Sequence, residues 1–203
     1  RDGYWLMDRK GQAGIQLQGK TLGIIGYGRV GRVVAARCLA FGMQVLATDP
    51  YISEDQIYDR RVQLVGIKEL LNKADFVSLH LPSTRETQGV VDARMISMMK
   101  RGARLINTAF GAVIDEGAMI EALQSGHLAG AALDVYSHEP PYDSPLIGMP
   151  NVIHTPHVAE NTIEATQDLS LQIAAQVMDA LRDEDYRNVV NLPFLPGIDF
   201  ETT

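Results

Sequence analysis

Thr21-Leu22-Gly23-Ile24-Ile25-Gly26-Tyr27-Gly28-Arg29-Val30-Gly31 is an apolar run that stops at a glycine and resumes as a helix pattern. That is a G-x-G-x-x-G fingerprint in strand–turn–helix context. The first glycine allows a tight turn, the second lets the backbone approach a pyrophosphate, and the third lets the helix pack on its strand. The helix start then aims its N–H groups and positive dipole end at the phosphates. Gly26, Gly28, Arg29, Val30 and Gly31 are therefore candidate cofactor contacts. The next apolar run, Gln44-Val45-Leu46-Ala47-Thr48, ends at Asp49-Pro50. An acidic residue about 20 positions past the turn bonds both hydroxyls of an adenosine ribose and repels a 2′-phosphate. The pair points to NAD rather than NADP. The bland reading, a glycine turn plus a surface aspartate, does not account for the matched spacing.

Working outward, 203 residues suit one large domain or one and a half average ones. Hydrophobic residues at 46% and charged residues at 21% support a packed core and argue against disorder. A net charge of −7 without a basic block argues against nucleic acid or an anionic membrane as partner. The single cysteine, Cys38, excludes an internal disulfide and reads as a packing thiol in the first helix. With no signal-like or membrane-length apolar run, a soluble cytoplasmic protein is expected.

Strand and helix patterns alternate from residue 21 to about 156. Strands are expected at 21–25, 44–48, 62–65, 76–80, 104–108, 131–135 and 152–155. Helices are expected at 29–41, 68–73, 92–100 and 115–125, with a short one at 53–59 capped by Ser53 and Gln56. The methionines read as core filler. A long helix at 161–181 carries Ile163, Leu169, Ile173, Val177 and Leu181 in one stripe. This alternation predicts an α/β Rossmann-type, doubly wound parallel sheet of about seven strands with helices on both faces. The expected layout is a connecting segment over 1–20, a cofactor domain over 21–185 and a C-terminal return over 186–203.

In such a sheet ligands bind beyond the carboxyl ends of the strands. There the sequence places His80-Leu81-Pro82, Asn107-Thr108-Ala109-Phe110-Gly111, Asp134 through Glu139-Pro140, and Pro156-His157. His157 and Glu139 form a candidate acid–base pair, in which the carboxylate orients the imidazole and favours its protonated form. His154, three residues earlier, offers only a weak His-x-x-His pattern, and no metal site is expected. His127 and His138 read as loop residues.

These motifs, together with Val113-Ile114-Asp115-Glu116-Gly117-Ala118 and Ala132-Leu133-Asp134-Val135, resemble those of the D-isomer-specific 2-hydroxyacid dehydrogenases from about Gly19 to Pro193. The resemblance implies hydride transfer between NAD and a small 2-hydroxy or 2-oxo acid, with 3-phosphoglycerate a candidate. It implies His157 as proton carrier, Glu139 as its partner and Asp134 as the group that orients the nicotinamide carboxamide. It further implies cofactor contacts at Pro50, His80, Leu81, Pro82, Thr87, Thr108 and Ala109, and a homodimer formed through the cofactor domain.

Two departures stand out. The family carries an arginine, which holds the substrate carboxylate, where this chain has Phe110. Arg104 begins the fifth strand at the wrong edge, and Arg85 lies on the right rim in another loop. The family also has a substrate domain of ~100 residues plus a C-terminal return, by the same resemblance, and domain closure is how such sites exclude water. This chain looks like the cofactor domain alone. The alternative reading is a non-catalytic, NAD-responsive interaction module.

Overall fold

A parallel sheet covered on both sides requires near-continuous apolar strands. In β1, Thr21–Ile25, the last four residues are all buried. The computed structural model describes residues 14–182, 185, 186 and 188. After β1 come α1 (Arg29–Ala40), β2 (Gln44–Thr48), β3 (Val62–Leu64), α2 (Ile67–Lys73) and β4 (Phe76–Leu79). Then follow α3 (Ala93–Met98), β5 (Ala103–Asn107), α4 (Glu116–Gln124), β6 (Leu128–Leu133) and β7 (Val152–His154). The seven strands form one sheet in the order β3-β2-β1-β4-β5-β6-β7, and every pair is parallel. The chain winds outward from β1 to β3, then returns to add β4 on the other side of β1. The carboxyl ends of β1 and β4 therefore flank the point where strand order reverses.

Strand alternation divides the core between two faces. Leu22 and Ile24 pack with Val45, Ala47 and Val62 beneath Ala35 of α1. Ile25 and Leu46 join Leu70 and Leu71 of α2, Ile96 of α3 and Met119 of α4. Helices thus lie on both faces, as the sequence implied. Met43, Met99 and Met119 are buried filler. Cys38 is half-buried beside α1's core face, and burial raises its thiol pKa, which keeps it protonated and unreactive.

The elements differ from expectation mostly at their ends, for identifiable reasons. Asp92 and Asp115 are caps rather than first helical residues: their side chains accept from the Met95 and Ala118 N–H groups at 2.7 and 3.1 Å. The expected helix at 53–59 is a single 3₁₀ turn, Glu54–Gln56, because Ile57 is already extended. Strand β6 starts at Leu128, three residues early. Gly130 is a strand residue whose missing Cβ admits the Asn151 carbonyl, 2.7 Å from where that carbon would be. Strands β4 to β7 each stop short of the expected ends. His80, Thr108, Asp134 and Thr155 consequently lie on the rim rather than in the sheet.

The chain divides into compact units at residues 1–157 and 158–203. In the second, α5 (Ile163–Leu181) is capped by Thr162, whose hydroxyl accepts from the Ala165 N–H. The expected stripe residues Ile163, Leu169, Ile173, Val177 and Leu181 are all exposed. Trp5 and the Asn191-Leu192-Pro193 segment lie outside the described residues.

A 3₁₀ turn at Gly111–Val113 follows β5 and presses against the loop after β6. A Cβ on Gly111 would fall 1.9 Å from the Tyr136 carbonyl carbon. Backbone cannot yield as a flexible side chain does, so Gly111→Ala is expected to cost about 2 kcal/mol or more. Denaturant midpoints check this; an unchanged midpoint would contradict the close approach.

Candidate active site

The glycine turn closes β1 and opens α1. Gly26 has φ +94°, and a Cβ there would meet the His80 carbonyl at 2.5 Å. A Cβ on Gly31 would meet the Gly26 carbonyl at 2.3 Å, so only glycine lets α1 sit this close to β1. Gly28 differs: its Cβ would meet nothing within 4 Å. The turn is closed on the protein side and open on the other, as a pyrophosphate needs. Helix α1 begins with no side-chain cap and no acidic residue in its first turn, so its positive end is not neutralised locally. The glycine positions therefore fit a dinucleotide.

Asp49 sits just past β2, and its carboxylate is held from two sides. Oδ2 accepts the Tyr27 N–H at 2.8 Å, inside the glycine turn, and Oδ1 accepts the Tyr51 N–H at 2.9 Å. A carboxylate has about four acceptor directions, so two ribose hydroxyls can still be received. Both bonds hold the carboxylate beside the glycine turn. Tyr27 is clamped further: its carbonyl accepts from Arg32 Nε at 3.2 Å, and the guanidinium lies over the Tyr27 and Tyr58 rings at 5.5 and 5.3 Å. The sequence reading missed this tie between glycine turn and acidic residue.

The other rim loops are equally constrained. After β4, the His80 ring bonds the Ser78 hydroxyl at 3.0 Å, and burial lowers its pKa, which favours the neutral ring near pH 7. Thr87 donates its hydroxyl to the Pro82 carbonyl at 2.6 Å and so staples the loop containing Leu81 and Pro82. After β5, fully buried Asn107 organises the next turn. It donates to the Phe110 carbonyl at 2.9 Å and accepts the Ala109 N–H at 3.0 Å. Phe110 is left 49% exposed on that turn.

His157 and Glu139 come together: imidazole Nδ1 lies 2.7 Å from Glu139 Oε2. The other Glu139 oxygen accepts the Tyr136 N–H at 3.0 Å. Ser137 donates both its N–H and its hydroxyl to Glu116, at the start of α4, which anchors the loop from the opposite side. His157 itself has φ +54°, a left-handed backbone rare outside glycine, and its N–H donates to the Asp134 carbonyl at 2.9 Å. Asp134 is 3% exposed, and one of its oxygens accepts the Thr155 hydroxyl. A cleft of about 770 Å³ opens beside the pair, with Pro140, Tyr142, Ile147 and Pro156 among its walls. His154 is exposed and also lines this cleft, Arg85 is exposed in the loop after β4, and Arg104 stacks on Phe76 at the amino edge of the sheet. Glu116 and Thr155 are site residues that the sequence reading missed. Glu116 stood inside a quoted motif but showed no spacing that tied it to the loop after β6.

The hydrogen bond from His157, then that from the Tyr136 N–H, holds the Glu139 carboxyl below its usual range. A lowered folded pKa means that this bonding stabilises the loop above the ordinary glutamate range. The contribution is lost only as pH falls through the lower folded value. NMR titration of the Glu139 carboxyl carbon and the Tyr136 amide should therefore show both moving together below that ordinary range. A Glu139 that titrates at the usual value would contradict the pairing. The glycines give a second contrast. Gly28→Ala should leave stability within about 0.5 kcal/mol yet weaken dinucleotide binding, whereas Gly31→Ala should destabilise the fold. Thermal melts with and without NAD separate the two, and equal melts would overturn the assigned roles.

Residues 1–159 match the family described as D-isomer specific 2-hydroxyacid dehydrogenase, NAD binding domain. The D-3-phosphoglycerate dehydrogenase of Methanocaldococcus jannaschii is 45% identical over 195 residues, covering 96% of this chain and 37% of the relative. The chain thus spans little more than a third of the curated relatives it matches. Among solved structures, D-lactate dehydrogenase from Aquifex aeolicus, complexed with NAD and lactic acid, superposes with TM-score 0.78 at 34% identity. That match covers 87% of this chain and 58% of that one. An acyclic imino acid reductase (Bsp5) in complex with NADPH and D-Arg gives TM-score 0.81 at 30% identity, covering 90% and 58%.

Proposed function

Because the chain belongs to the D-isomer specific 2-hydroxyacid dehydrogenase NAD-binding domain family, we propose that it is the cofactor half of such an enzyme, acting on a small 2-hydroxy or 2-oxo acid. The observation that carries this reading is the His157–Glu139 pair at 2.7 Å, on the same rim as the glycine turn. The likeness to D-3-phosphoglycerate dehydrogenases makes 3-phosphoglycerate the first acid to try. A homodimer belongs to the same proposal.

Bound nicotinamide supplies the hydride acceptor, or in reverse the donor, at its C4. The chain's own residues do the rest. Glu139 engages Nδ1 of His157, which directs proton exchange to Nε2. In oxidation Nε2 takes the hydroxyl proton as the C2 hydride leaves, and in reduction it returns that proton to the new alkoxide. The negative Glu139 carboxylate supports the imidazolium formed in the oxidative direction. Asp49 receives the adenosine ribose, and the start of α1 faces the pyrophosphate. The fold superposes on both an NAD and an NADPH complex, so cofactor choice rests on local residues, with Asp49 foremost.

Phe110 occupies the position where the resemblance puts the substrate-binding arginine. Asn107 keeps that turn in form, so the change falls on the side chain alone. Loss of a charge-assisted contact there should cost roughly 10²–10⁴ in rate. This favours a second reading, a non-catalytic NAD-responsive module, against which the intact Glu139–His157 pair argues.

Calorimetric titration with NAD tests the binding half; no heat at millimolar NAD would sink it. The catalytic half needs the chain joined to a relative's substrate domain. There Phe110→Arg should raise hydride transfer by roughly 10²–10⁴, and equal rates would show that position 110 does not hold the acid.

A further inference from the structure

Tyr27 stands between the first two glycines of the turn, and neither neighbour has a side chain with which to hold it. Its backbone is held instead from both sides. The N–H donates to Asp49 Oδ2 at 2.8 Å, and the carbonyl accepts from Arg32 Nε at 3.2 Å. Arg32 reaches the turn a second time, since its own N–H donates to the Gly28 carbonyl at 3.0 Å. Its guanidinium lies 5.5 Å from the centroid of the Tyr27 ring and 5.3 Å from that of Tyr58. Tyr27 is buried in the core beside Leu22, Ala35 and Val45, whereas Tyr58 is exposed between β2 and β3. Arg32 belongs to the first turn of α1, where the helix dipole disfavours a cation. The bond to the glycine turn and the two rings offset that cost.

We propose that Arg32 is a positioning residue for cofactor choice, acting through Tyr27 on Asp49. This rests on the cofactor reading above, in which Asp49 receives the adenosine ribose. The path is short. It runs from the guanidinium to the Tyr27 carbonyl, across one residue to the Tyr27 N–H, and from there to Asp49 Oδ2. With its carbonyl held, residue 27 cannot turn between its glycine neighbours without breaking a bond, so its N–H stays aimed at Asp49. A carboxylate kept in one place separates two riboses sharply. It accepts from one with both hydroxyls free and repels one that carries a 2′-phosphate. Released from that place, it gains less from the first and opposes the second less. Arg32 thus sets the preference between the two dinucleotides without touching either.

The test compares NADH with NADPH by calorimetric titration of the full chain. Wild type should bind NADH more tightly than NADPH. Arg32→Lys keeps the charge, and with it any long-range pull on phosphates, but has neither the Nε–H nor the planar face. It should weaken NADH about fivefold, the effect of one lost hydrogen bond, and leave NADPH within about twofold. Arg32→Met, which has no donor at all, should weaken NADH at least as much, and it carries the test should the lysine form fail to fold. In an Asp49→Ala background, Arg32→Lys should change NADH binding by no more than about twofold, since the group it acts through is gone. Three results overturn the proposal: NADPH weakened as much as NADH or more, neither ligand weakened, or the full NADH loss persisting without Asp49. Wild type that binds NADH and NADPH equally tightly also overturns it while sparing the dinucleotide site. Wild type that binds neither overturns the cofactor reading and the proposal together.

Discussion

The rim depends on the absence of two methyl groups. At Gly31 a Cβ would strike the Gly26 carbonyl, and at Gly26 it would strike the carbonyl of His80. Their absence lets α1 settle onto β1 and lets the β4 loop close against the same turn. Backbone then meets backbone at two places beside the point where strand order reverses. The remaining order follows from that contact. Tyr27, between the first two glycines, is fixed tightly enough to donate its N–H to Asp49. The acidic residue is thereby held by the turn it works with. On the proposed reading, the anion site and the ribose site are one object rather than two.

The far half of the rim uses a different device. There, polar side chains bond to backbone and replace the missing regular ladder. Asn107 closes the turn after β5, Glu116 reaches from α4 to Ser137, and Glu139 takes the Tyr136 N–H before it meets the histidine. Gly111 again permits contact that a side chain would forbid. Each of these groups belongs to a different element. The Glu139–His157 pair is consequently fixed by the sheet and α4 jointly, although its loop contains no regular structure.

Sheet and turn were legible because their signals are local. Apolar runs, glycine spacing and a well-placed aspartate all fall within a few tens of residues. The rim residues carried by the family resemblance were legible as positions, and the structure brings Glu139 and His157 together. Strand ends were less legible. Asp134 and His80 sit in runs that read as strand, and only neighbouring strands decide where pairing stops. The bonds from Glu116 to Ser137 and from Thr155 to Asp134 were invisible for a deeper reason. Each joins residues 21 positions apart in sequence, across a strand boundary. No periodicity encodes such a meeting; it exists only once the sheet has formed.

On the proposed reading, the left-handed backbone of His157 sets proton transfer against stability at a single residue. A side chain in that region carries a strain of about 1–2 kcal/mol, although histidine, asparagine and aspartate adopt it more often than other side chains do. Glycine at this position would relieve the strain and remove the imidazole together. On that reading, the histidine at residue 157, held at φ +54° against Glu139, trades backbone ease for the place of its imidazole.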